Sequence, residues 1–230
     1  MTGIGGARIL LLNPNSSTAC SAGIDAAVAG FRRPGRPAID VATVAGGPPG
    51  IYSWRDWHAA VGPLCATVAA ERAAVFIVAC ASDPGIEAVR EVTDRPVLGV
   101  FRCAVAAAQL RAEHFGVIAL VDASIGRHAL ALRAMGAEGR LAAEIAMNTT
   151  IGTLLDPHAA RAALAATGRA LVARGAGAVI MGCTGMAGHR AALEDMLGVP
   201  VIEPCQAAVA QALGIVVAAL PAAQGDRVAS

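Results

Sequence analysis

Lysine is missing from all 230 residues; each of the 18 basic residues is an arginine. That excludes enzymes in which a lysine holds pyridoxal phosphate or a carbonyl substrate as a Schiff base. It also excludes the P-loop, whose lysine reaches the nucleotide phosphates. Charge of either sign is scarce: charged residues make up 15%, the net charge is +1, and no block of like charge occurs. Neither a nucleic-acid footprint nor a polybasic membrane patch is therefore expected. Aromatic residues reach only 3%, so a core must be built from aliphatic side chains, and a hydrophobic content of 56% supplies enough of them for a folded chain to be expected rather than a disordered one. No C-x-x-C pair is present, which removes zinc-ribbon and thioredoxin-type sites. No apolar run is long enough for a membrane span; the longest, 207–223, is broken by Gln211, Gly214 and Pro221. The opening residues, 1–13, show neither a basic leader nor a cleavage site. A cytoplasmic location with reduced thiols is expected for Cys20, Cys65, Cys80, Cys103, Cys183 and Cys205.

What is present is an alternation of short aliphatic runs and alanine-rich stretches. Strands are predicted over 8–12, 39–44, 74–78, 97–99, 115–120, 141–145, 178–181 and 201–202. Helices are predicted over 17–29, 56–71, 84–92, 102–113, 124–135, 157–174, 188–196 and 204–220. Such alternation implies an α/β fold with parallel sheets covered by helices.

The chain also repeats itself. An apolar run ending in Cys80, small polar residues, a helix, the Pro96-Val97 strand and an alanine-rich helix recur as a run ending in Cys183, a helix, the Pro200-Val201 strand and a second alanine-rich helix. Cys183 follows Cys80 by 103 positions and Pro200 follows Pro96 by 104. Two pseudo-two-fold-related lobes are expected, one from 1–101 plus 204–230 carrying Cys80 and the other from 102–203 carrying Cys183. Ligands of open α/β sheets bind beyond the carboxyl ends of the strands. Both cysteines fall there, so a cleft between the lobes would bring the two thiols face to face.

Two such thiols suit one kind of chemistry. Inverting a stereocentre beside a carbonyl needs a base on one face of the carbon and an acid on the other, and a thiolate–thiol pair supplies both without a metal or organic cofactor. Asp83-Pro84 reads as the N-cap and first residue of a helix after Cys80, and Thr184-Gly185 as a permissive entry to the helix after Cys183. Backbone N–H groups there are expected to lower the thiol pKa and to receive a carboxylate or enolate oxygen. The bland alternative is that a buried cysteine is a small apolar residue; it is kept for Cys20, Cys65, Cys103 and Cys205, which have no repeat partner.

Three segments resemble hydantoin racemases of the Asp/Glu/hydantoin racemase superfamily: Ile9 through Asn13 with the following Pro-Asn-Ser-Ser, Cys80-Ala-Ser-Asp-Pro-Gly with the later Pro-Val-Leu-Gly, and Gly182-Cys-Thr-Gly-Met. The resemblance implies a cofactor-independent racemase or epimerase acting on a hydantoin, allantoin or amino-acid-like carbon acid. It implies Cys80 and Cys183 as catalytic residues, and Asn13, Ser17, Ser82, Thr184 and Gly185 as substrate-binding residues. No metal or other cofactor is implied; the partners are a small-molecule substrate and further copies of the chain in a homo-oligomer. Maleate-type cis–trans isomerases and arylmalonate-type decarboxylases share the superfamily, and a non-catalytic small-ligand module is the alternative from another class. The run Val100-Phe-Arg-Cys-Ala and the segment from Val121 to Ser124 depart from the family pattern and leave the substrate open.

The remaining residues admit two readings each. Asn13 and Asn15 fit turn chemistry as well as substrate contact, and Ser16, Ser17 or Thr18 suits a helix cap. Asp122 or Ser124 is placed to mirror the Asn13 loop. The segment 46–57, with Tyr52, Trp54 and Trp57, reads as a loop serving as gap filler, interface or lid. Of His58, His114, His128, His158 and His189, none shows metal-ligand spacing, and His189 is singled out as a thiol neighbour.

Overall fold

Strand β1 (Arg8–Asn13) buries Ile9, Leu10, Leu11 and Leu12 completely, because helices cover both faces of its sheet and leave no solvent side for polar alternation. The computed structural model describes residues 6–219. The first sheet adds β2 (Ala38–Thr43), β3 (Val75–Val78) and β4 (Val97–Gly99) in the order β2-β1-β3-β4. The second holds β5 (Phe115–Ala119), β6 (Leu141–Ala146), β7 (Ala178–Gly182) and β8 (Val201–Ile202) in the order β6-β5-β7-β8. Every strand pairing is parallel. The two orders are the same permutation, so the sequence repeat is a structural one, and all eight predicted strands are found near their expected positions.

Helix α1 (Thr18–Val28) follows β1, and α2 (Trp54–Ala59) and α3 (Val61–Ala70) follow β2. Then come α4 (Ile86–Glu91), α5 (Val100–Gln109), α6 (Asp122–Ala134), α7 (Ile151–Leu155), α8 (Pro157–Val172), α9 (Arg190–Leu197) and α10 (Pro204–Ala218). Helix α5 joins the two halves. Its Val100 and Cys103 pack with Ile9, Ile77 and Ala208, while Phe101, Ala104, Val105 and Ala108 pack with Phe115, Val117 and Ile180. The lobe boundary read between residues 101 and 102 thus falls inside a helix that serves both sheets. Helix α10 lies against the same face, where Gln211 Nε2 donates to the Cys103 carbonyl at 2.8 Å. The ends of the segments 1–101 and 204–230, and Leu220 of the last predicted helix, lie outside the described residues.

Three local expectations are corrected. The predicted helix 56–71 is two helices, and Trp54 and Trp57 belong to the first of them rather than to a loop. Ser53 and Asp56 form a reciprocal capping box that starts α2 earlier than expected. Asp83 does not cap the helix that follows it: α4 starts after Gly85, which has φ +61°. Asp83 itself, at φ +45°, turns its carboxylate onto the N-terminus of α5, accepting from Phe101 N at 2.9 Å and Arg102 N at 3.0 Å. The Arg102 guanidinium adds a salt bridge at 3.1 Å. Gly99 makes this possible, since a Cβ there would lie 2.3 Å from Asp83 Cγ. At the repeat-related position the helix start carries its own acid: Glu203 accepts from Cys205 N at 3.0 Å and Gln206 N at 2.7 Å.

Candidate active site

In the strand order 2-1-3-4 the chain leaves β1 towards one edge and β3 towards the other, so the loops after β1 and β3 diverge and leave a crevice at their carboxyl ends. The second sheet does the same with β5 and β7. The two crevices face one another and form one cavity lined by residues of both lobes. Asn15 comes from the loop after β1, Cys80 and Ser82 from that after β3, Ser124 from the start of α6 after β5, and Cys183, Thr184 and Gly185 from the turn after β7. The two cysteines therefore border the same cavity.

Each thiol has polar company from its own loop. Ser82 Oγ lies 3.5 Å from Cys80 Sγ, and the Gly185 N–H bonds the Cys183 sulfur. Cys183 is the N-cap residue of a 3-10 helix, Thr184–His189. The expectation of a lowered thiol pKa is not met. Burial pushes the Cys80 thiol up, with the Ser82 hydrogen bonds and the charge of Arg127 pulling back. Burial likewise pushes Cys183 up to about 12, against the pull of the Gly185 N–H. Loss of hydration outweighs one or two hydrogen bonds.

Of the predicted substrate-binding residues, Ser82, Thr184 and Gly185 line the cavity. Asn13 and Ser17 are not among the lining residues. The Asn13 amide nitrogen donates to Asn15 Oδ1, the Ser17 carbonyl and Ser21 Oγ at 3.0–3.1 Å, and Ser17 Oγ accepts from Cys20 N to cap α1. Both brace the loop that presents Asn15. Ser124 lines the cavity, as the mirrored-loop reading expects, and Asp122 does not; its carboxylate accepts from Asn148 Nδ2. His189 is not among the lining residues of the cavity that holds Cys80 and Cys183: its Nε2 engages the Leu154 carbonyl at 2.9 Å, and it borders a neighbouring cavity with Cys20, Thr184 and Gly185.

Sequence reasoning missed Arg127 and His128, adjacent on α6, which both line the cavity. His128 Nδ1 meets Glu144 Oε1 at 2.5 Å, and its ring stacks on Phe101 with centroids 4.3 Å apart. Arg127 is 3% exposed. Trp54 and Trp57 of the predicted loop line a second cavity with Ser82 and Arg127: Trp57 Nε1 donates to the Ser82 carbonyl at 3.0 Å, and the Arg127 guanidinium lies 5.9 Å from the Trp54 ring centroid. Among the described residues, no three His, Cys, Asp or Glu side chains are grouped to hold a metal, and no helix is long and apolar enough to cross a membrane.

Residues 9–212 match the profile of the Asp/Glu/Hydantoin racemase family. A hydantoin racemase of Paenarthrobacter aurescens is 35% identical over 210 residues, covering 87% of both chains. Another, of Pseudomonas sp. (strain NS671), is 32% identical over 204 residues, covering 85% of this chain and 80% of its own. The allantoin racemase structure from Klebsiella pneumoniae superposes with a TM-score of 0.86 at 29% identity, covering 96% of this chain and 92% of that one. With two α/β lobes of matching topology and a cavity at the strand ends of both, the chain belongs to the Asp/Glu/Hydantoin racemase family and is an isomerase of the racemase class.

Proposed function

We propose that the chain racemises a ring-carbonyl carbon acid of the hydantoin or allantoin type, with Cys80 and Cys183 as its two acid–base residues. The observation that carries this is the position of both thiols on one cavity, each at the carboxyl end of a repeat-related strand. A thiolate on one side takes the α-proton: an S–H bond forms, the C–H bond breaks, and its electron pair moves onto the carbonyl oxygen as an enolate. The thiol opposite then gives its proton to the other face of the carbon and becomes the thiolate. One proton is exchanged with inversion, no electron is transferred to an acceptor, and the roles swap for the other enantiomer. Each positioned acid or base contributes about 10²–10⁴-fold.

The lining favours a neutral ring over a free amino acid. Among the described residues it contains no Asp or Glu, so an α-ammonium group would be buried without a carboxylate partner, at a cost of several kcal/mol. Serine, threonine, asparagine and backbone N–H groups of Asn15, Ser82, Thr184 and Gly185 instead suit ring carbonyl and N–H edges. The same reading keeps Asn13 and Ser17 as supports of the binding loop. All six cysteines are unbridged, which supports a cytoplasmic location; the homo-oligomer is proposed on family resemblance.

Proton NMR in heavy water with a panel of 5-substituted hydantoins, allantoin, aspartate and glutamate tests this. A ring substrate is expected to lose its α-proton signal as optical activity decays, and Cys80→Ser and Cys183→Ser are each expected to abolish racemisation. Full activity in either single variant would eliminate the two-thiol mechanism.

A further inference from the structure

Arg127 is a buried cation with too few partners. Its Nη2 donates to Ser124 Oγ at 3.1 Å, but Nε and Nη1 are fully buried with no acceptor among the described residues. A guanidinium carries one N–H on Nε and two on each Nη, so three donors stand unused. The Trp54 face beside it is worth about 0.5–2 kcal/mol to a cation, whereas burying an unpaired charge costs several kcal/mol. Asp56 lies within electrostatic reach, but that carboxylate is engaged by Ser53 through Oγ and N and by Tyr52 N. Arg127 borders two cavities. One is lined by Asp83 and Glu87, whose carboxylates are already paired with Arg102. The other, shared with Cys80 and Cys183, has no acidic residue among its described lining residues, and the groups there able to carry negative charge are thiols.

Resting on the two-thiol reading, we propose that Arg127 is the fixed counter-ion of the cavity, pairing with the Cys80 thiolate once it forms and then with the enolate oxygen that inherits its charge. The charge count supports this. The cavity holds one negative charge throughout the proposed reaction: on sulfur before proton removal, on the enolate oxygen in the middle, and on the other sulfur afterwards. A single stationary cation balances that charge without reorganising, which is how preorganised sites stabilise a transition state. The placement is also asymmetric. Arg127 shares a second cavity with Ser82 of the Cys80 loop, and no residue of the Cys183 turn is among its described lining residues; its charge favours the Cys80 thiolate. Cys80 is then the thiol that ionises as base and Cys183 the one that stays protonated as acid.

The test compares the full-length protein with Arg127→Met, which keeps the bulk and removes the charge, and with Arg127→Lys, which keeps the charge. Brief iodoacetamide labelling at mildly alkaline pH, read by peptide mass spectrometry, reports each thiolate. The ratio of Cys80 to Cys183 labelling is expected to fall about tenfold or more in Arg127→Met, the equivalent of one pKa unit, and to be largely kept in Arg127→Lys. Racemisation kcat/KM is expected to fall ~10²–10³-fold in Arg127→Met. The melting temperature should hold or rise, since an unpaired buried charge has been removed. An unchanged labelling ratio, or activity within about threefold of the parent, overturns the proposal, as does a lowered melting temperature with unchanged labelling, the mark of a purely structural residue. These outcomes separate from failure of the two-thiol reading, which shows instead as activity surviving in Cys80→Ser or Cys183→Ser.

Discussion

The indole Nε1 of Trp57 donates to the Ser82 carbonyl at 3.0 Å, tying helix α2 to the loop that carries Cys80. The bond crosses 25 residues of chain and ends two positions from the sulfur. Trp57→Phe would keep most of the ring volume and leave that carbonyl without its donor. We expect a loss of about 1–3 kcal/mol in urea unfolding and a lower kcat as the Cys80 loop loosens. An unchanged unfolding midpoint with unchanged kcat would show that the bond holds nothing in place.

The Asp83–Gly99 contact invites a second substitution. Gly99→Ala would drive a methyl into the carboxylate that caps α5. Moving it uncovers two N–H groups and breaks the Arg102 pair, for an expected cost of about 2–3 kcal/mol. Glu203→Ala removes the corresponding cap of α10 and should cost about 1–2 kcal/mol. Chemical denaturation of both variants checks the order; a milder effect for Gly99→Ala would contradict it.

Asn13 distinguishes support from contact. Its amide nitrogen is held within the loop by three acceptors, so Asn13→Ala should lower stability by about 1–3 kcal/mol and change KM through the loop alone. Direct substrate binding would appear as weakened KM with unfolding unaffected.

The pH dependence follows from the thiols. The Cys80 thiol sits above its ordinary 9.0, and as the proposed base it must be ionised, so kcat/KM should climb through neutral and into alkaline pH. Cys183, the proposed acid, holds its proton to about 12, so no descending limb is expected before that. Stability runs the other way. Cys103 and Cys183 titrate near 9.0 when unfolded and at about 12 when folded, so their contribution is complete below pH 9 and is lost as pH rises towards 12. Initial rates and thermal melts from neutral to strongly alkaline pH check both slopes; a bell peaking near neutrality would contradict the first.

Much of the architecture was legible because its signals are local. Doubly buried strands appear as short aliphatic runs, and the duplicated order of run, cysteine, helix and Pro-Val strand marked the lobes and the two strand-end cysteines. The capping box at Ser53 and Asp56 was written in the chain as well, although composition drew attention to Trp54 and Trp57 as loop residues. Asp83 illustrates the opposite case. Asp before Pro is a sound local cap signal, yet the carboxylate crosses 18 positions to Phe101 because Gly99 leaves room and two N–H groups lie exposed at the start of α5. His189 and Asn13 stood at plausible distances from the site in the chain, and their side chains are satisfied by backbone and loop partners that only the folded geometry supplies.

By itself the order of residues determined two parallel α/β halves and the chain positions of two strand-end cysteines, since hydrophobic periodicity and a repeat are properties of one dimension. The tertiary structure decided that the cysteines share a cavity and that, among the described residues, no carboxylate lines it. It also decided that Arg127, one of 18 arginines with nothing in its neighbours to distinguish it, is buried there with donors to spare. Desolvation and unmatched charge depend on which surfaces meet, and that is settled only when the second sheet closes over the first.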